Sequence, residues 1–183
     1  ARACNEFGLG MGLGSCRIIL DSKKYISDFD VRGEIGNDAP LFANLGIAQI
    51  ESILKSKDWD KVNQLIAGLK ADGVIIHVNP LQEWLQPEGD KITLRPIDII
   101  EVALHKIKFP IIVKEVGQGM GPESLKAVMK MPLEAIEFAA LGGTNFSLLE
   151  IKRGDKANTS FNGLSEIGHT SQEMIFFINT ILN

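Results

Sequence analysis

Five short apolar segments, each of strand length, constrain the fold of this 183-residue chain more than any other feature. They alternate with segments in which apolar residues recur at helical spacing. Nearly continuous hydrophobic strands joined by helices are typical of a parallel sheet that is covered by helices. The pattern predicts an α/β fold, either a (β/α) barrel or a doubly wound sheet. The predicted strands lie within residues 8–15, 40–45, 73–79, 110–116 and 135–140.

The predicted helices have recognisable ends. Residues 1–7 have the pattern of the last turns of a helix, with Gly8 at its C-cap, so we expect the chain to begin within a domain. Pro122 stands where the first turn of a helix begins, and Thr170 to Glu173 form a capping box before another. Helices are predicted over residues 59–69, 97–107 and 122–131, and from residue 171 onward.

Charge and composition exclude several classes of function. The net charge is −4 and no run of like charges is present, which argues against a nucleic-acid or membrane-surface partner. The apolar segments are far shorter than the roughly 20 residues that a membrane span needs. Cys4 and Cys16 have neither metal-ligand spacing nor the density of a disulfide scaffold. We therefore expect a cytoplasmic protein that acts on a small molecule.

The strongest local signal is the segment from His77 to Glu83, at the end of the third predicted strand. His77 and Asn79 share one face of that strand, and Gln82 and Glu83 follow in the next loop. Imidazole and carboxamide groups bind phosphate oxygens, and a carboxylate suits Mg²⁺ shared with a diphosphate. The segment predicts a diphosphate and magnesium site. The alternative is a hydrogen-bonded strand end with an exposed Glu83.

Polar residues also end the other four predicted strands, as they do in barrel enzymes, which favours the barrel. Lys114 is costly to bury unless it pairs with Glu137 or faces a ligand such as a flavin, and the two interpretations are compatible. Ser15 and Arg17 end the first strand, where Arg17 is either a ligand-binding cation or a solvated loop charge. Asn44 ends the second strand or caps a helix.

Two glycine-rich segments follow the fourth and fifth predicted strands. Residues 142–145, Gly-Gly-Thr-Asn, either approach a phosphate closely or form a tight turn between strand and helix. Residues 117–121, Gly-Gln-Gly-Met-Gly, either cradle an anion at a helix start or give a flexible helix entry. The spacing G-x-G-x-x-G of dinucleotide-binding proteins is absent from the latter segment.

Taken in order, five motifs resemble those of the FMN-dependent, type 2 isopentenyl-diphosphate isomerases, from residue 1 to about residue 150. That family is a flavin-binding TIM barrel. The resemblance implies a partial (β/α)8 TIM barrel, approximately strands two to six with their helices, in a single incomplete domain over residues 1–183. The motifs are Gly14-Ser15-x-Arg17, PLFANLG at 40–46, His77-x-Asn79-x-x-Gln82-Glu83, Val113-Lys114-Glu115-Val116-Gly117 and Gly142-Gly143-Thr144-Asn145.

The resemblance implies the chemistry as well. Family members interconvert isopentenyl and dimethylallyl diphosphate with Mg²⁺ and with FMN that NADPH reduces, in isoprenoid biosynthesis, and we expect the full-length protein to be a homo-oligomer. The implied roles are FMN contact for Ser15, Asn44, Lys114 and Thr144, substrate contact for Arg17, His77, Asn79 and Gln82, proton handling for Gln82, and Mg²⁺ binding for Glu83.

The chain departs from the family in several places. Cys16 stands where many members have Gln, and Asn145-Phe146 where many have Ser-Trp. The family's Arg-Lys-x-x-His segment, its Met-Thr-Gly-Gly turn and its Ser-Gly-Gly phosphate loop are not in these 183 residues, so we expect the chain alone to be inactive. Two alternatives remain: another FMN-dependent barrel oxidoreductase acting on a 2-hydroxy acid, and a non-catalytic phosphate-binding barrel segment.

Overall fold

The computed structural model describes residues 1–154 and 159–183. The strands are β1 (Met11–Gly12), β2 (Leu41–Gly46), β3 (Gly73–His77), β4 (Ile111–Lys114) and β5 (Ala135–Glu137). The α-helices are α1 (Arg2–Glu6), α2 (Arg17–Asp21), α3 (Ile26–Phe29), α4 (Arg32–Ile35), α5 (Ile47–Ser56), α6 (Trp59–Gly68), α7 (Pro80–Leu85), α8 (Pro96–Lys106), α9 (Pro122–Val128), α10 (Phe146–Arg153) and α11 (Ser171–Leu182). Two 3-10 helices cover Lys23–Tyr25 and Thr159–Glu166.

The five strands form one parallel sheet in the order β1-β2-β3-β4-β5. Each strand pairs with its neighbour in sequence, and helical segments make the connections, as parallel pairing requires. Because every crossover advances in the same direction and such crossovers are right-handed, the helices cover one face of the sheet. The fold is therefore α/β, and the order lacks the reversal of a doubly wound sheet within the described residues.

The prediction of a partial (β/α)8 TIM barrel containing barrel strands two to six is wrong. The described residues form a five-stranded parallel sheet in which β1 pairs only with β2, and β5 only with β4. A barrel requires its last strand to pair with its first, and this sheet has two separate edges instead. The alternation of strands and helices indicates parallel pairing, but it does not distinguish part of a barrel from another parallel sheet. The barrel was inferred from the polar residues at the strand ends and from the resemblance.

The two faces of the sheet have different surroundings. On one face, the side chains of β2, β3 and β4 are at most 2% exposed and pack into the main hydrophobic core with α5, α6, α8 and α9. The other face carries Asn44, His77 and Lys114, and the last two are only partly buried. Ile75 also lies on this second face, where it is buried but stands outside the main core. Functional side chains therefore lie on the less covered face.

The first strand, which was predicted within residues 8–15, is much shorter in the structure. Only Met11 and Gly12 pair as a strand, although Leu13 and Cys16 still donate backbone hydrogen bonds to Phe42 and Asn44 of β2. The side chain of Ile75 approaches Gly12 closely, since a Cβ on Gly12 would lie 2.6 Å from Cδ1 of Ile75. Within the described residues, no helix is long and apolar enough to cross a membrane.

Candidate functional site

The carboxyl ends of the parallel strands meet at one edge of the sheet, where the cross-strand register aligns Gly46, His77, Lys114 and Glu137 in a row. Gly46 lets the imidazole approach the backbone of β2 closely, since a Cβ at this position would lie 2.9 Å from Nε2 of His77. The imidazole therefore lies against the end of β2. This row forms the floor of the candidate site.

Asn44 and His77 form a hydrogen-bonded pair on the less covered face. The Nδ2 of Asn44 donates to the carbonyl of Leu13 at 2.9 Å, so its Oδ1 faces Nδ1 of His77 at 2.7 Å as an acceptor. Nδ1 must then carry the proton, which leaves Nε2 as an acceptor in the neutral ring. Burial, assisted by the charge of Lys114, lowers the pKa of His77 to about 4. The ring is therefore neutral at physiological pH, and Asn44 joins strands rather than capping a helix.

Asn79, Gln82 and Glu83 form a second cluster where β3 passes into α7. Nδ2 of the buried Asn79 donates to Oε1 of Gln82 at 3.1 Å and to Oε1 of Glu83 at 2.9 Å. Among the described residues, Oδ1 of Asn79 is the buried side-chain polar atom that lacks a hydrogen-bond partner. Because the Glu83 carboxylate attracts the amide N–H groups, this orphaned Oδ1 is held as an acceptor, suited to a cation or an N–H donor.

Arg17 reaches this cluster only indirectly. Its Nη1 lies 3.0 Å from Oδ2 of Asp90, and the backbone N–H of Asp90 donates to Oε2 of Glu83 at 2.7 Å. Gln49 donates to the same Asp90 oxygen at 3.0 Å. Arg17 and Asp90 also line a polar cleft of about 440 Å³ between α2 and α5. Asp90 and Gln49, which the sequence analysis did not single out, thus connect the ends of β1, β2 and β3.

Lys114 has two polar neighbours, a backbone carbonyl and a carboxylate. Its Nζ donates to the backbone carbonyl of Glu115 at 2.8 Å and lies 3.9 Å from Oε1 of Glu137. The side chain is 18% exposed, whereas that of Glu137 is 52% exposed, so the ion pair is loose and open to solvent. The expected pairing with Glu137 is present, and the ammonium group retains the capacity to donate to a ligand.

A second cleft, of about 610 Å³, lies beyond the carboxyl ends of β4 and β5. Lys114, Glu137 and Thr144 line it, together with Gly142 and Gly143. Its volume lies within the range of small-molecule and cofactor sites. Thr144 is exposed, and the following Asn145 caps α10 by accepting a hydrogen bond from the backbone N–H of Leu148 at 3.0 Å. The glycine pair therefore leads both to an open cleft and to a helix start.

The glycine-rich segment 117–121 already holds an anion from the chain itself. Oε2 of Glu115 accepts hydrogen bonds from four consecutive backbone N–H groups, those of residues 116–119, at 2.6 to 3.1 Å. Burial raises the pKa of Glu115, and these N–H groups oppose the shift in part. The backbone cradle expected from the glycines is thus occupied by Glu115. The sequence signal was the acidic residue two positions before the segment.

The predicted site residues other than Ser15 fall into three groups. Asn44, His77 and Lys114 meet on the sheet, and Asn79, Gln82 and Glu83 meet at the start of α7, with Arg17 joined to them through Asp90. Thr144 shares a cleft with Lys114. Ser15 is exposed after β1 and does not line that cleft.

One buried carboxylate near the site was also missed by the sequence analysis. Glu51 of α5 accepts hydrogen bonds from the backbone N–H and the hydroxyl of Thr93, and it pairs with Lys55 at 2.5 Å. Burial would raise its pKa, but these partners lower the pKa to about 2. Glu51 therefore anchors the segment between α7 and α8. No short sequence motif could show this, because Thr93 is 42 residues away.

Comparison with curated proteins places this geometry in context. The chain is 37% identical over 153 residues to the isopentenyl-diphosphate delta-isomerase of Rickettsia prowazekii, which is 84% of this chain and 44% of that protein. It is 36% identical over 160 residues to the isopentenyl-diphosphate delta-isomerase of Halobacterium salinarum, 86% of this chain and 43% of that protein. These proteins are homologues of the chain. The chain spans less than half of their length, and no family model matches it.

Proposed function

We propose that the chain forms part of an isomerase that interconverts isopentenyl diphosphate and dimethylallyl diphosphate in isoprenoid biosynthesis. The observation that carries the proposal is the cluster of Asn79, Gln82 and Glu83 at the end of β3, joined through Asp90 to the cation of Arg17. A carboxylate and a guanidinium that are joined through one intervening residue suit a magnesium diphosphate. The names of the homologues support the same substrate.

The donor set around Glu83 fits Mg²⁺. The described residues contain no group of three or more His, Cys, Asp and Glu that could enclose a metal ion. Mg²⁺ commonly uses one or two carboxylates together with substrate phosphates and water, so a single Glu83 is sufficient. Its oxygens accept one hydrogen bond each, from Asn79 and from Asp90, and each keeps a lone pair. When bound, Mg²⁺ would neutralise part of the diphosphate charge.

The cleft beside Lys114 and Thr144 fits a flavin mononucleotide. A cation and a hydroxyl lie on a surface that the glycine pair leaves open to a flat ring or a phosphate. Asn44 and Ser15, which lie outside this cleft at the ends of β2 and β1, would contact the same cofactor. When bound and reduced by NADPH, FMN would supply a group able to exchange a proton. Lys114 would hold positive charge at the cofactor, and Gln82, fixed through its Oε1 by Asn79, would orient the substrate for proton transfer.

The hydrogen-bonding state of His77 limits its role. In the neutral ring Nε2 is an acceptor, and a phosphate oxygen needs a donor. His77 therefore contacts a diphosphate oxygen only after it takes up a proton, which an approaching polyanion favours. Without that proton, Nε2 accepts a hydrogen bond from an N–H or O–H group.

The test is an isomerase assay on the intact protein with isopentenyl diphosphate, Mg²⁺, FMN and NADPH, with the product measured by proton NMR. Glu83→Gln should lower activity by about a hundredfold or more while flavin content stays at the wild-type level, because it removes the anionic ligand without changing shape. Glu88→Gln is the matched control, since Glu88 is exposed and pairs with Arg153.

Absence of isomerase activity in the intact wild-type protein would contradict the proposal, as would net oxidation of a 2-hydroxy acid. Equal loss of flavin and activity in Glu83→Gln would contradict the metal-binding role of Glu83. Chelation with EDTA should abolish activity, and restoring Mg²⁺ should recover it.

A further inference from the structure

We propose that Asp90 is a positioning residue that holds Arg17 and Glu83 in place for one magnesium diphosphate, an inference that rests on the proposed function. Asp90 lies in the segment 86–95 between α7 and α8, which crosses the carboxyl ends of three strands. Its side chain contacts Arg17, and its backbone N–H donates a hydrogen bond to Glu83.

The side chain of Asp90 fixes Arg17. Its Oδ2 lies 3.0 Å from Nη1 of Arg17 and accepts a hydrogen bond from Nε2 of Gln49 at 3.0 Å. Gln49 is itself held, because its Oε1 accepts from the backbone N–H of Gly46 at 2.9 Å. The carboxylate is therefore connected to the end of β2. It orients the guanidinium of Arg17, which is the first residue of α2 in the connection between β1 and β2.

The contact with Asp90 leaves N–H donors of Arg17 for a ligand. A guanidinium has five N–H donors, and the contact with Asp90 involves one atom, Nη1. The side chain of Arg17 remains 54% exposed, so other donors face solvent and are available to a phosphate. A flexible arginine loses side-chain entropy when it binds, and holding it in advance reduces that cost.

The backbone of Asp90 fixes Glu83. Its N–H donates to Oε2 of Glu83 at 2.7 Å, while Asn79 donates to Oε1 at 2.9 Å, so the carboxylate is held from both sides. The far end of the segment is anchored separately, where Thr93 donates to the buried Glu51. Asp90 thus sets the spacing between a cation and a metal ligand that lie 66 residues apart in the sequence.

The test measures binding of inorganic diphosphate with Mg²⁺ to the intact protein by calorimetry, together with KM and kcat for isopentenyl diphosphate. Asp90→Asn keeps the size and the backbone N–H, so it releases Arg17 but leaves the contact with Glu83. We expect diphosphate affinity to fall about fivefold and KM to rise similarly, with kcat within about twofold of wild type. Glu88→Gln removes a charge from the same segment, and Thr93→Val loosens its anchor, and both should keep wild-type affinity.

A double-mutant cycle shows whether Asp90 acts through Arg17. If it does, Asp90→Asn combined with Arg17→Gln binds diphosphate no more weakly than Arg17→Gln alone. Additive losses, an unchanged affinity in Asp90→Asn, or an equal loss in Thr93→Val would overturn the positioning role while the proposed function stands. A wild-type protein that neither binds magnesium diphosphate nor isomerises the substrate would overturn the proposed function, and this inference with it.

Discussion

Acidification should destabilise this protein through His77, and the effect can be isolated by one substitution. The pKa of His77 falls from 6.5 to about 4 because burial and the neighbouring charge of Lys114 disfavour the imidazolium. The groups that face the ring are Asn44 and Gly46 on β2 and Lys114 on β4, and Lys114 is the charged one. No acidic partner is among these contacts to favour protonation.

Between pH 6.5 and pH 4 the unfolded chain therefore binds a proton that the folded protein does not. Stability is full above the unfolded pKa and is lost as the pH falls through this window. The expected loss in the free energy of unfolding is about 2 kcal/mol at pH 5 and about 3 kcal/mol at pH 4, relative to pH 8. If a diphosphate contacts Nε2 of His77, its binding should be accompanied by the uptake of a proton.

The assay is urea denaturation at pH 8 and pH 5 for the wild type, His77→Gln and His105→Gln. Gln at position 77 cannot titrate but can still donate to Asn44, so its stability should fall about 2 kcal/mol less than that of the wild type over this interval. His105→Gln removes an exposed imidazole from α8 and should behave like the wild type. Other carboxylates titrate equally in all three proteins. If His77→Gln and the wild type lose the same stability, the ring is not held neutral by its surroundings and the reasoning fails.

Two further predictions concern Lys114 and Glu115. Lys114→Met should lower the midpoint potential of bound FMN by about 30 mV or more, a tenfold change in the two-electron equilibrium, as measured by spectroelectrochemical titration; an unchanged potential with a lower melting temperature would assign Lys114 to the pair with Glu137 instead. Glu115→Gln should lower the free energy of unfolding by about 1 to 3 kcal/mol, because a neutral amide accepts more weakly from the four N–H groups around it. Urea denaturation measures this, with the exposed Glu123→Gln as the control. If Glu115→Gln loses no more free energy of unfolding than the control, the Glu115 carboxylate does not organise the segment 116–119.

The sequence was most informative where structure is local. The apolar runs of β2, β3 and β4 and the capping box at Thr170 and Glu173 coincide with observed elements, because burial and capping depend on neighbouring residues. β1 is only two residues long, since alternating glycines offer little side-chain packing to support pairing. The short helices between β1 and β2 lack a long helical period, so their pattern gave no prediction.

The candidate site shows the same division. Asn79, Gln82 and Glu83 could be grouped from the sequence because a strand end and one helical turn bring them together. The roles of Asp90 and Glu51 depend on partners more than 40 residues away, which only the tertiary structure identifies. FMN, Mg²⁺ and the proton-handling role of Gln82 stay predictions.

During synthesis on the ribosome, the strands of this sheet would emerge in the order in which they pair. When a strand emerges, the preceding strand with which it pairs has already been synthesised. The sheet can therefore assemble during synthesis, because no strand needs a partner from a distant segment. The growing edge carries unpaired N–H and C=O groups only until the next strand arrives. A nascent chain that ends after β3 already has the residues for the contact between Asn44 and His77, while Lys114, whose charge adds to the effect of burial in keeping that imidazole neutral, would be added only with β4.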